Sequence, residues 1–182
     1  PGPAADLYGS IQKKAEFYEV CEKFGIPYPD SKILTAPVDA AELTEDKLGF
    51  AYPIIVKPSS SVDYWKHPFD TMKKVYTAAT PAEAAEIVKT IYASGYPDRM
   101  VLQKMVPGGD DHMRVLTAFS DENGKVRAMC LGHTMVEEHT PHGIGNHAVI
   151  ITEPADGLAE KFQAFLEDVG FTGFSNFDIK YD

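Results

Sequence analysis

Tyr52-Pro53-Ile54-Ile55-Val56-Lys57-Pro58 and Val101-Leu102-Gln103-Lys104-Met105-Val106-Pro107-Gly108-Gly109-Asp110-Asp111 decide how this chain reads. The first is an apolar strand ending on a lysine, and its unbroken apolar run predicts burial on both faces. A charge stranded at the end of such a run is costly unless it meets an anion. The second is a strand that breaks into a glycine turn and then two carboxylates. It offers edge backbone groups, followed by carboxylates able to accept hydrogen bonds from ribose hydroxyls. Together they suggest a nucleotide held between two strands.

Outward from these segments the chain alternates short elements. Ser10 to Phe24 reads as a helix with Ile11, Ala15, Tyr18 and Cys21 on one apolar face, and Gly25 stops it ahead of Pro27 and Pro29. A short strand is predicted over Lys32 to Ala36 and a short helix over Asp39 to Leu48. Ser59 to Thr71 has no hydrophobic period and reads as a loop, and Lys73 to Thr77 returns as a strand. Thr80-Pro81-Ala82-Glu83 opens a helix that extends to Ser94: a threonine cap, a proline in the first turn, and a glutamate three residues after the cap. Past a boundary near Pro107 to Asp111 the pattern turns strand-rich. Met113 to Phe119 and Val126 to Met135 form a hairpin around Asp121-Glu122-Asn123-Gly124. Gly143 to Ile151 holds a third strand, Ala155 to Val169 a helix, and Phe171 to Tyr181 a last, alternating strand.

A chain of 182 residues suffices for one large domain or two small lobes. A net charge of −10 without any basic stripe argues against nucleic acid as a partner, yet a few local lysines can still bind an anion. Cys21 and Cys130 stand alone and far apart, which fits a reducing, cytoplasmic setting and excludes a CxxC zinc or redox motif. No apolar run reaches the ~18 residues of a membrane-spanning helix, so no membrane partner is expected.

The residues that carry chemistry are few. Lys57 ends its strand and Lys74 opens the next, so adjacent antiparallel strands would bring both ammonium groups to one cleft, where phosphates bind them as point charges. Snorkelling surface lysines are the plain alternative, more so for Lys74 than for Lys57. Ser59, Ser60 and Ser61 follow Lys57 and could donate to phosphate oxygens, or merely be solvated. Neither GxxxxGK[ST] nor GxGxxG occurs, which removes the P-loop and dinucleotide folds. Asp178 alternates with Phe177 and Ile179; beside phosphates it would suit Mg²⁺, which takes one or two carboxylates, and otherwise it is a solvent-facing aspartate. His133, His139, His142 and His147 crowd around Glu137 and Glu138, but their spacing matches no metal motif, so a substrate loop is the better reading.

Taken in order, these segments resemble the ATP-grasp superfamily of carboxylate–amine and carboxylate–thiol ligases over nearly the whole chain. Lys14-Ala15-Glu16-Phe17-Tyr18 followed by Gly25-Ile26-Pro27-Tyr28-Pro29 is similar to the family's leading helix, and Tyr52 to Ser59 to its lysine-bearing strand. Met72-Lys73-Lys74-Val75-Tyr76 resembles the strand after the phosphate loop, Val101 to Val106 the hinge strand, and Asn176-Phe177-Asp178-Ile179 the strand with the first metal carboxylate. The resemblance implies an α+β ATP-grasp fold, two lobes whose antiparallel sheets grip ATP. Residues 1–50 would be a linker and leading helix, 51–106 the N-terminal lobe and 107–182 the C-terminal lobe. It further implies that Lys14, Lys57 and Lys74 meet phosphates, that Gln103, Lys104 and Val106 meet the adenine edge, that Asp110 meets the ribose, and that Asp178 meets Mg²⁺. Arg114 and Arg127 become candidates for the substrate or γ-phosphate, against the reading of surface arginines on a hairpin.

The implied reaction converts a carboxylate to an acylphosphate with Mg-ATP and joins it to an amine. The nearest branch is the carbamoyl-phosphate-synthase-like and amino-acid or peptide ligase group, including D-aspartate-ligase-like enzymes, so small-molecule carboxylate and amine partners are expected. Two departures stand out. Ser60-Ser61-Val62-Asp63-Tyr64-Trp65 is bulky where the family has a glycine run, and the family's Glu-x-Asn metal segment would follow Asp182. The expectation is a core that needs flanking domains of the same polypeptide and is inactive alone. A non-catalytic nucleotide-sensing module is the rival; a histidine metal site, which would hold stoichiometric zinc, is the third reading.

Overall fold

The computed structural model describes residues 13–138, 146–155 and 157–182. Its contacts divide the chain into two compact units. One joins residues 13–19 to Pro27–Met105; the other joins Val20–Ile26 to Val106–Asp182. The leading helix α1 (Lys14–Phe24) is therefore shared out between them. Positions 10–12 of the predicted helix lie outside the described residues.

In the first unit, β1 (Ser31–Leu34), β2 (Ile54–Pro58), β3 (Tyr76–Ala78) and β4 (Met100–Lys104) form an antiparallel sheet in the order β1-β4-β2-β3. The segment between β1 and β2 carries a 3₁₀ turn (Ala40–Glu42) and the short helix α2 (Glu45–Leu48), and it gives Leu43, Leu48 and Phe50 to the core. The core also takes Ile54, Val56, Met100 and Leu102 from the sheet and Ala84, Val88 and Ile91 from a helix at Pro81–Ala93. That helix starts as its sequence requires: Thr80 Oγ1 accepts the Glu83 N–H at 3.2 Å, and Glu83 reaches back to the Ala79 N–H at 2.7 Å.

Three expectations are corrected in this unit. Along β2, Ile54, Val56 and Pro58 are buried while Ile55 and Lys57 are half-buried. Burial of β2 is complete on one face and partial on the other, where Val101 and Gln103 of β4 are buried and Tyr18 of α1 bonds Gln103. The stretch predicted as a loop contains a helical turn, α3 (Ser61–Tyr64), capped by Ser60. Tyr64 anchors it: the side chain is buried, and its hydroxyl donates to the Lys73 carbonyl at 2.8 Å and lies 2.8 Å from the Tyr76 hydroxyl. Its ring meets Phe69 and Tyr96 edge-on. One aromatic anchor carries no period, so pattern reading passed over it. The same knot shortens the following strand. Tyr76 Oη accepts the Lys73 N–H at 2.8 Å, and pairing with β2 begins at Tyr76 rather than Lys73.

In the second unit, β5 (Met113–Ser120), β6 (Val126–Glu137), β7 (His147–Glu153) and β8 (Gly173–Lys180) form an antiparallel sheet in the order β7-β6-β5-β8. The β5–β6 hairpin closes where predicted: the Asp121 N–H donates to the Lys125 carbonyl at 2.9 Å, and Gly124 takes the left-handed φ of 72° that the turn needs. The helix at Pro81–Ala93 is α4, and Leu158–Asp168 forms α5. Phe162, Phe165 and Leu166 of α5 are buried, and Phe177 of β8 meets the rings of Phe162 and Phe165 at 4.3 and 6.2 Å. The predicted start of the third strand at Gly143 lies outside the described residues. Among the described residues no helix is long and apolar enough to cross a membrane.

Candidate functional site

Register carries the first-unit site. Lys57 and Gln103 sit on neighbouring strands, with Ile55 opposite Gln103 and Lys57 opposite Val101. Side chains alternate between faces, so Ile55, Lys57, Val101 and Gln103 share the face away from Ile54 and Val56. There Lys57 Nζ donates to Gln103 Oε1 at 2.8 Å. Gln103 Nε2 donates to Tyr18 Oη at 2.6 Å and to Ser31 Oγ at 3.0 Å. Tyr18 stacks on Tyr28 with centroids 4.9 Å apart, and Lys57 Nζ lies 6.0 Å from the Tyr18 ring centre.

Lys57 has no carboxylate partner in this network. Burial, and then the charge of Lys14, pull its ammonium pKa down to about 8. Lys14 is lowered too, by burial first and then by Lys74. Two buried lysines whose charge is disfavoured by burial and by a neighbouring lysine mark a place where an anion would be stabilised. The structure thus brings Lys14, Lys57 and Lys74 into one electrostatic group. Lys14 Nζ is held by Ser61 Oγ at 3.3 Å.

The other serines have different partners. Ser59 Oγ accepts the Ala15 N–H at 3.2 Å and is without solvent exposure; Ser60 Oγ donates to Asp63 and accepts its N–H, capping α3. Both hydroxyls are engaged in seating α1 and α3, the elements that carry Lys14 and Ser61. Lys104 ends β4 exposed, its ammonium 3.6 Å from Asp30, and its N–H donates to the Asp30 carbonyl. Val106 follows two residues later, half-buried.

In the second unit, Asp110 opens a 3₁₀ turn and its Oδ2 accepts the Glu137 N–H at 2.9 Å. Asp178 on β8 is largely exposed. Its Oδ1 lies 3.4 Å from His147 Nε2, and His147 Nδ1 lies 2.9 Å from Thr134 Oγ1 and 3.7 Å from Glu137. One exposed carboxylate suits a cation that takes most of its ligands from phosphates and water. Among the described residues no group of three or more histidine, cysteine or acidic side chains is gathered for a metal. His133 is apart from His147: it contacts Glu153 at 3.4 Å and the Asp111 carbonyl at 2.7 Å. His139 and His142 lie outside the described residues.

The two arginines are not brought together. Arg114 lies opposite His133, six positions along β6 from Arg127, which is roughly 20 Å at strand rise. Arg114 is mostly buried, ion-paired to Glu153, bonded to the Asp111 and Met113 carbonyls, and stacked 5.3 Å from the Tyr181 ring centre. Arg127 is exposed and paired with Asp121 at the hairpin turn, at 2.6 Å. Sequence reading missed Tyr18 and Ser31, the partners of Gln103. Tyr18 was counted only as part of an apolar helix face, although a buried tyrosine hydroxyl usually seeks a partner.

No family model matches the chain. The chain is 40% identical over 176 residues to a D-aspartate ligase of Enterococcus faecium (strain Aus0004), covering 97% of itself and 42% of that protein. It therefore spans less than half the length of this curated relative. Among solved structures it resembles D-alanine–D-alanine ligase of Bacillus anthracis, with a TM-score of 0.62, 19% identity, all of this chain and 55% of that one. It also resembles the biotin carboxylase domain of Hydrogenobacter thermophilus 2-oxoglutarate carboxylase, solved with MgADP and bicarbonate, with a TM-score of 0.68, 14% identity, 97% of this chain and 38% of that one. These structures share the fold: two α+β units, each built on an antiparallel sheet.

Proposed function

We propose that this chain, which belongs to the ATP-grasp superfamily, is the Mg-ATP-binding core of a ligase that joins a carboxylate to an amine, with an amino acid or peptide among its substrates. The single observation behind this reading is the group of Lys14, Lys57 and Lys74, in which Lys14 disfavours the charge of Lys57 and Lys74 that of Lys14. In this reading these lysines take the phosphates, Ser61 holds Lys14, and Ser59 and Ser60 act through the elements they seat. Gln103, Lys104 and Val106 meet the base, and Asp110 meets the ribose. Arg114 is better supported than Arg127 as a substrate contact, since burial and its place beside Glu153 orient it. The first unit serves as the N-terminal lobe and the second as the C-terminal lobe.

The chemistry follows from charge. A carboxylate oxygen attacks the γ-phosphorus, the bond to the β-γ bridging oxygen breaks, and ADP leaves. An amine then attacks the acyl carbon, phosphate leaves, and the amine gives up a proton. Lysine ammonium groups offset the negative charge that otherwise repels the attacking carboxylate. Mg²⁺, held by Asp178, would supply further charge neutralisation at the phosphates. The relative's name makes D-aspartate the first substrate to try. Two free cysteines, Cys21 buried and Cys130 exposed, support a cytoplasmic setting.

Calorimetry of Mg-ATP binding to the wild type and to Lys57→Ala tests the reading. A lost charge-assisted contact should weaken binding about ten- to a hundredfold. Equal affinities would remove Lys57 from the site. For the full-length protein, ADP release across an amino-acid panel that includes D-aspartate tests the ligase step.

A further inference from the structure

The amide of Gln103 has a fixed polarity: Lys57 and Ser31 set it, and Tyr18 accepts in accord with it. Lys57 has only protons to offer, so the atom 2.8 Å from its Nζ must be the carbonyl oxygen. On the other side, Ser31 Oγ donates its proton to the Pro29 carbonyl at 2.7 Å. It can therefore only accept from Gln103, at 3.0 Å. Tyr18 Oη accepts the second amide proton at 2.6 Å. Both donors of Gln103 are taken, and one lone pair on Oε1 remains after Lys57.

Gln103 Oε1 is therefore held as the acceptor that the base would meet. The edge of adenine that carries N7 and the 6-amino group offers an acceptor beside a donor, whereas a 6-oxo purine offers two acceptors. A reversed amide would turn toward the base two protons that suit the 6-oxo purine. Lys57 favours the observed polarity, but it sits on a flexible four-carbon stem. Tyr18 and Ser31 are rigid by comparison. Tyr18 is stacked on Tyr28 with planes 10° apart, and Ser31 is in register opposite Gln103 on the next strand.

We propose that Tyr18 and Ser31 are positioning residues which, by accepting both amide protons of Gln103, make this site select a 6-amino purine over a 6-oxo purine. The inference rests on the reading of the first unit as a nucleotide site. It adds that base selection depends on two residues expected not to touch the nucleotide.

The test is calorimetric titration of the wild type, Tyr18→Phe/Ser31→Ala and the single Ser31→Ala with Mg-ATP and Mg-ITP. The two nucleotides differ at position 6, where an oxo group replaces the amine. The wild type should prefer ATP by about ten- to a hundredfold. In the double variant the ratio should fall to a few-fold, mostly through tighter relative binding of ITP, with an intermediate ratio for Ser31→Ala. A merely structural role predicts that both nucleotides weaken together with the ratio unchanged, and that result would overturn the proposal. So would a wild type that binds ATP and ITP alike. A wild type that binds neither would overturn the nucleotide reading itself. If the double variant fails to fold, an unchanged ratio in Ser31→Ala overturns the proposal on its own.

Discussion

Lys57 shows how one residue sets both a cost and a use. Burial and Lys14 lower its pKa from 10.5 to about 8, so between those values the unfolded chain holds more of this proton than the folded one. Stability must therefore rise with pH across that window through this group, since the state binding fewer protons gains as protons become scarce. Lys57→Met should flatten that part of the pH profile and raise the melting temperature of the nucleotide-free protein near neutral pH. Denaturation curves between pH 7 and 10 measure both effects. Polyphosphate binding should reverse the shift, because an anion favours the ammonium form. Near pH 8.5 the protein should take up a fraction of a proton per ATP bound. Calorimetry in two buffers of different ionisation enthalpy reads this directly; no buffer dependence would mean that Lys57 does not meet the phosphates. At the same scale, Lys57 was legible in sequence because an apolar strand ending on a charge is anomalous. Tyr18 and Ser31 were not, because hydroxyl groups on ordinary elements give no such signal.

At the level of elements, α5 and the α3 turn make contrasting cases. The helix α5 was readable from the spacing of Phe162, Phe165 and Leu166, which all become buried. Phe165 has no exposure and touches both Phe24 and Phe177, so Phe165→Ala should cost about 3–5 kcal/mol in chemical denaturation. The turn α3 is capped by Ser60 and anchored to the core through Tyr64. Removing its hydroxyl in Tyr64→Phe leaves the Lys73 carbonyl and the Tyr76 hydroxyl short of a partner, for a loss of about 1–2 kcal/mol. Hydrogen exchange should then quicken across residues 61–76 more than in α4. Uniform exchange would show that Tyr64 does not hold this segment. The consequence for function is specific: the stretch that stands where the resemblance calls for a glycine-rich loop is a pinned helical turn, and it carries Ser61 and with it Lys14.

For the whole molecule, a net charge of −10 coexists with a lysine group that favours an anion. In the proposed function, local geometry rather than global charge would govern ATP binding, and a divalent cation would offset part of the ligand's charge. Chelating Mg²⁺ should weaken ATP binding about tenfold or more while leaving the melting curve of the ATP-free protein unchanged. A fall in that melting temperature on chelation would point instead to a structural metal.

By itself the sequence determined the order of the strands along the chain and the anomaly of Lys57, and through the order of its motifs it carried the resemblance that implied the fold class and singled out Gln103. The strands and Lys57 follow from local period, turn chemistry and the cost of misplaced charge, all of which act over a few residues. Only the tertiary structure decided that Gln103 joins Lys57 to Tyr18 and Ser31, that the serines mostly seat other elements, and that His133 and His147 part company. Strand register and side-chain packing set those outcomes between residues dozens of positions apart. A hydrogen bond spanning 85 residues, from Gln103 to Tyr18, leaves no trace in any short window of sequence.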